Sequence, residues 1–284
     1  MGEKDITEKL LEDYNDVFAD IVNVLLFNGR EEVKPSALVN ANIHSQYKAD
    51  EGKIHELERD VAKYWKDGNT RFALYGIENQ TTPDKLMPVR VMGYDGASYK
   101  SQIVSKQVPI LPVVTIVLYF GNERWNTSRT LKESIEIHKD LEYYVNDYKI
   151  HVFEISWLTE EQISMFKSDF RSVADFFVKR RKYPDYIPKD KTEIRHIEEV
   201  LKLMSAFTGD HRYEEVLTYP GIKEVGNMCE VFDRAWNGGK AEVLFSLVQD
   251  GDLTIEKAAE KMNVDVSEFE KLMEKAGYTL TTLA

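Results

Sequence analysis

RDVAKYWKDGNTRFALYGIENQTTPDKLMPVRVMGY, residues 59–94, is the stretch whose reading decides the fold. Val61, Tyr64 and Trp65 favour a strand, Asp67-Gly68-Asn69 is turn chemistry, and Phe72 to Ile77 forms a second strand. Thr82-Pro83-Asp84 ends that strand, and Met87 to Ser105 predicts a helix with Pro88 in its first turn. A three-residue loop at Asp67-Gly68-Asn69 sets Asp60 opposite Gly76 and makes Glu78 its diagonal neighbour on the same face. A two-residue Asp67-Gly68 turn would separate them onto opposite faces, so a shared site requires an odd loop or a bulge.

Upstream, apolar residues from Asp5 to Phe27 recur at helical spacing, and Asn28-Gly29 supplies a stop. Asp16, Asp20 and Asn23 share one stripe of that helix, equally readable as a solvated edge. Lys34 to Asp50 reads as a loop with a helical turn, and Ile54 to Arg59 leads into the first strand. Downstream, Leu111 to Phe120 is too continuously apolar for a half-exposed strand, so it predicts a central one. Gly121 to Tyr148 mixes loop and helix, Lys149 to Ile155 is a further strand, and a long helix runs from Thr159 to about Lys182. These elements predict an α/β core over 1–183, with a linker over 184–192 marked by Pro184 and Pro188.

Residues 193–284 then read as a helical C-terminal extension, with helices over Glu193–Phe207, Arg212–Thr218 and Lys223–Trp236. LTIEKAAEKMNVDVSEFEKLMEKAG, from Leu253 to Gly277, resembles a helix-turn-helix with Leu253, Ala258, Ala259, Met262, Val264, Phe269 and Leu272 as core positions. Glu268, Glu270 and Glu274 make its second helix a poor phosphate partner, which favours packing or homo-oligomerisation over groove reading.

The single cysteine, Cys229, excludes an internal disulfide, suits a reducing cytoplasm and is expected in the core. The start is charged and no apolar run approaches the roughly 20 residues a membrane helix needs, so the expectation is a soluble, cytoplasmic protein without a membrane partner. A formal charge of -12 demands that any nucleic-acid binding concentrate the cations locally. The six histidines show no paired metal-ligand spacing, and phosphate-binding glycine loops and a serine nucleophile elbow do not occur.

What remains is the hairpin. Carboxylates on adjacent strands hold hard oxygen ligands at fixed separation, as a divalent cation for phosphodiester attack requires. Asp60 and Glu78 are the candidate metal ligands, with the Asn79 backbone carbonyl a candidate third, and Gln80 projects from the Glu78 face as the candidate to orient water or phosphate. An aspartate before a strand and Glu-Asn-Gln before a turn are equally common surface residues, but Glu78 closes the apolar strand FALYGI, where a carboxylate more often serves a site. Lys85 and Arg90 are the candidate DNA-backbone contacts, Arg90 having an alternative as a partner of Asp84 or Glu78.

RDVAKYW, LYGIENQTTPDKLMPVRVMGYD and ILPVVTIVLYFGNERW, in that order, resemble the recombination-promoting nuclease family, also labelled transposases, within the PD-(D/E)XK superfamily. The family pattern of a strand aspartate, Glu-x-Gln and Ser/Thr-Pro-Asp-x-x-Met-x-x-Arg falls on Asp60, Glu78, Gln80, Pro83, Asp84, Met87 and Arg90. The resemblance implies a restriction-endonuclease-like mixed sheet flanked by helices and a DNA endonuclease using Mg2+, with Mn2+ as a substitute. It does not imply strand transfer. Gln80 stands where superfamily nucleases commonly carry lysine, and an amide cannot stabilise negative charge as an ammonium does. The superfamily's first-helix acidic residue falls on Asp20, with Asp16 second. The rival reading is a catalytically silent member that binds DNA or protein through the same cleft, and a weaker one is an oligomeric scaffold built on the C-terminal helices.

Overall fold

The structure is a computed structural model that describes residues 11–41, 44–48, 54–58, 60–68, 70–184, 186–218, 222, 226–262 and 264–278. Its contacts divide into two compact units, Met1–Tyr186 with Ile194–His211, and Ile187–Glu193 with Arg212–Ala284.

The first unit is a mixed five-stranded sheet flanked by helices. Its strands are β1 (Leu38–Asn40), β4 (Val61–Asp67), β5 (Thr70–Gln80), β6 (Val113–Tyr119) and β7 (His151–Glu154), in the order β1-β4-β5-β6-β7. β4 pairs antiparallel with β1 and β5, whereas β5, β6 and β7 run parallel. β2 (His44–Lys48) and β3 (Ile54–Glu58) form a separate antiparallel hairpin. Three strands thus lie where a loop and a lead-in were expected, because β1 is short and HSQYK carries no apolar alternation.

Helix α1 (Asn15–Phe27) buries Val17, Phe18, Ile21, Val22 and Val24, and stops where Asn28 and Gly29 take left-handed backbone at φ 54° and 80°. The expected helix from Asp5 is not continuous: Leu11 and Glu12 end one helical stretch, residues 13 and 14 interrupt it, and 5–10 lie outside the described residues. Helix α2 (Met87–Val104) follows β5 with Pro88 in its first turn. Its Met87 and Val91 pack on Val117 and Tyr119 of β6, so β6 is interior and apolar on both faces.

β7 follows the short helix α3 (Leu131–Ser134), and the long helix expected from Thr159 is two, α4 (Glu160–Met165) and α5 (Phe170–Lys182). Asp20 is the cause of the break. Its Oδ2 accepts the main-chain N–H groups of Lys167 and Ser168 at 2.8 and 2.7 Å, drawing donors that a continuous helix would use internally. Helix α6 (Ile197–Thr208) belongs to this unit, tied to it by Asp169, which accepts N–H groups of Arg195 and His196.

In the second unit are α7 (Arg212–Glu215), α8 (Met228–Gln249), α9 (Ile255–Met262) and α10 (Val266–Lys275). The expected helix over Lys223–Trp236 begins at Met228 and runs on to Gln249, residues 223–225 lying outside the described set. Leu244, Phe245 and Val248 pack against Ala258, Ala259, Phe269 and Met273. Leu272, expected in this core, is exposed, and its neighbour Met273 takes the inward position. Cys229 is likewise half-buried, its Sγ 3.7 Å from Asp233. Among the described residues no helix is long and apolar enough to cross a membrane.

Candidate functional site

The hairpin register differs from the one the turn chemistry suggests. Asp67 pairs with Thr70 across a two-residue turn in which Gly68 has φ 55°, and a bulge between Trp65 and Lys66 then shifts the ladder. Beyond it Tyr64 pairs with Leu74, Ala62 with Gly76 and Val61 with Ile77. Asp60 directly precedes β4, and the same register carried one step further would set it opposite Glu78 rather than Gly76. The bulge restores the parity that the short turn removes, and Asp60 and Glu78 return to one face.

β5 extends to Gln80, so Glu78, Asn79 and Gln80 sit on the strand itself. Glu78 is 1 % exposed and faces α2, where Arg90 lies 3.8 Å from its Oε2. Arg90 also reaches Asp84 at 3.3 Å. Although burial works against its charge, hydrogen bonding to Tyr94 and the carboxylates of Glu78 and Asp84 raise the Arg90 pKa. Tyr94 is itself pushed up, first by burial and then by the negative charges of Glu78 and Asp60. Both carboxylates therefore act on one small region.

Asn79 binds the other side of the site together. Its main-chain N–H donates to Asp60 Oδ2 at 2.7 Å, and its side-chain Nδ2 donates to Glu12 Oε2 at 2.7 Å. The Gln80 carbonyl accepts from Phe120 N on the β6 side, so strand alternation turns the Asn79 carbonyl towards Asp60. Glu12 arrives from the α1 face of the sheet and is fully buried. Burial pushes its carboxyl up to about 8, the Asn79 hydrogen bond opposing this and the Asp60 charge adding to it.

Glu12 is the residue that sequence reading missed. An unbroken helix projects its periodicity through residues 13 and 14, and the break there resets which side chains turn inward. Asp20 and Asp16 are instead engaged elsewhere, Asp20 at the α4–α5 break and Asp16 with His196 at 3.4 Å and Arg195 at 3.8 Å. Lys85 is exposed before α2. Lys63, fully buried on the α1 face, spends its ammonium on the Asp13 carbonyl at 2.6 Å and Asn40 Oδ1 at 2.5 Å.

The donor chemistry fits a hard divalent cation. Asp60 and Glu78 supply two carboxylates on one face, and Mg2+ commonly uses only one or two, completing its shell with waters and substrate phosphate. The strand end is also rich in acceptors: Glu12 Oε1 and Asn79 Oδ1 are buried and accept no hydrogen bond. Among the described residues no group of three or more His, Cys, Asp or Glu is placed to hold a metal ion.

Residues 64–182 match a protein-family model described as "Putative transposase, YhgA-like". The match covers less than half of the chain, running from β4 to the end of α5, and includes Glu78, Gln80, Lys85 and Arg90 but neither Asp60 nor Glu12. No curated protein and no solved structure matches the chain significantly.

Proposed function

We propose that this similarity and this site describe a metal-dependent DNA endonuclease with a restriction-endonuclease-like core, serving recombination or mobile-element processing. The supporting observation is the Asp60 carboxylate accepting the Asn79 main-chain N–H at 2.7 Å, which fixes it to the strand that carries Glu78. Asp60, Glu78 and the Asn79 carbonyl would hold Mg2+ or Mn2+, which supplies an activated water and charge neutralisation at the phosphate. Gln80, two residues beyond Glu78 on the same face, orients that water or the scissile phosphate through its amide. Arg90 fixes the Glu78 rotamer, and its exposed edge joins Lys85 in contacting the DNA backbone. The buried acid beside Asp60 is Glu12 rather than Asp20; its carboxyl, raised to about 8 by burial, accepts from the Asn79 amide and so holds that side chain in place.

Cleavage of supercoiled plasmid tests this reading. Wild type should nick DNA with Mg2+ or Mn2+ and not with EDTA, and Asp60→Ala and Glu78→Ala should each lose at least about 100-fold in rate, the scale at which charge-stabilising groups count. Full-rate cleavage by either variant would remove the assignment.

A second reading, a catalytically silent scaffold, is favoured by the Arg90–Glu78 ion pair, which already neutralises one of the two ligands. Calorimetry separates the two, since a scaffold takes up no Mg2+ in a manner that depends on Asp60 and Glu78. The C-terminal unit we assign to joining copies of the chain.

A further inference from the structure

The carboxyl-terminal edge of the parallel strands carries a second constellation around Glu154, which shares the face of Gln80. The parallel register aligns Gln80 with Tyr119 and Tyr119 with Glu154. Two strand spacings of about 4.8 Å put Glu154 roughly 10 Å from Gln80. Glu154 holds Trp125 N through Oε1 at 2.7 Å, and its Oε2 is shared by Arg124 at 3.3 Å and Arg129 at 3.5 Å. A few residues on, the guanidinium groups of Arg124 and Arg181 lie over the Trp157 ring, 4.0 and 3.6 Å from its centre, and Arg181 Nε donates to the Ser156 carbonyl at 2.8 Å.

This is a built arrangement. Three guanidinium groups from two segments, the loop after β6 and α5, converge on one carboxylate and one indole, which remove much of the rotamer freedom that an arginine ordinarily gives up on binding. Glu154 and the neighbouring Glu123 offset part of the charge and leave a net positive cluster on a chain of net charge -12. Arg124 keeps 59 % of its side chain exposed, so its fork is available to an outside anion. Successive phosphates of one DNA strand advance by about 3.4 Å along the helix axis. Roughly 10 Å is then the reach of about three nucleotides.

We propose that Arg124, Arg129 and Arg181, braced by Glu154 and Trp157, form a phosphate track that holds the DNA backbone about three nucleotides from the bond at Gln80. The track rests on the nuclease reading for its substrate, but its contacts are to phosphate and carry no sequence preference.

The test measures binding and cutting separately on the full-length protein. Binding of a fluorescently labelled random-sequence duplex is followed by anisotropy in Ca2+ across a salt series, and plasmid nicking is followed in Mg2+. Arg124→Gln should weaken binding about 3- to 10-fold and lower the salt slope by about 1, and the Arg124→Gln, Arg181→Gln double variant should lower it by about 2. In nicking, KM should rise while kcat stays within about 2-fold, because the loss is uniform binding. Arg124→Lys should recover most of the affinity but not all of it. Wild-type affinity and slope in both Gln variants would overturn the track. Arg124→Gln, at an exposed position, serves where the double variant fails a circular-dichroism melt. If wild type binds through these arginines yet never nicks, the track stands and the nuclease reading fails. If it nicks normally while the variants bind as wild type, the track fails alone.

Discussion

Glu12 carries the clearest consequence of a single side chain's surroundings. Its folded pKa of about 8 lies above the ordinary 4.5, so the fold prefers the protonated carboxyl. The stability it allows is complete below about pH 4.5 and is lost as pH rises towards 8. In EDTA, urea midpoints of wild type should therefore fall across that window more steeply than those of Glu12→Gln, whose neutral amide still accepts from Asn79. Parallel pH profiles would show that Glu12 is not buried as a proton-bearing group. That Asp60 and Glu78 lie at the same end of one hairpin was legible from strand propensity and turn chemistry alone. Glu12 was not, since a glutamate beside Leu11 and Asp13 looks like the solvent face of a helix until the chain breaks after it.

Asp20 shows how an element boundary can be set from far along the chain. Its carboxylate, raised in pKa by burial and lowered by its bonds to Ser168 and Lys167, receives the donors freed between α4 and α5. Asp20→Ala should cost about 1–2 kcal/mol in chemical denaturation, as the loss of a helix cap does, and leave metal-dependent nicking at the wild-type rate. A large activity loss at unchanged stability would return Asp20 to the metal site. The helix–strand order around residues 59–120 could be read from local chemistry, including α2 with its Pro88 and the interior strand β6. Local chemistry did not reveal the bulge at Trp65–Lys66, because no residue type demands one.

Across the whole molecule, charge and division into units make separate predictions. With Arg124, Arg129, Arg181, Arg90 and Lys85 as its phosphate contacts, the protein should bind duplex DNA with a salt slope between about −4 and −5. A slope near zero would leave the acidic surface in control. Truncation after His211 keeps α6 with the sheet it packs on and removes α7 to α10. The truncated protein should retain nicking within about 3-fold, since the residues proposed to contact phosphate and metal all lie before His211, and should show a lower mass per particle by light scattering. An unchanged mass would remove the C-terminal unit as the assembling element.

Propensity, turn residues and apolar periodicity are local, and they sufficed for a mixed α/β core, a helical C-terminal segment and two carboxylates brought to one hairpin. Non-local pairing decided the rest. Which residue opposes Asp60, which acid approaches from α1, where the helix after Thr159 breaks and how three arginines gather around Trp157 depend on groups distant in sequence. Their geometry is set by burying apolar faces and satisfying main-chain donors, and these are conditions that only the folded chain meets together.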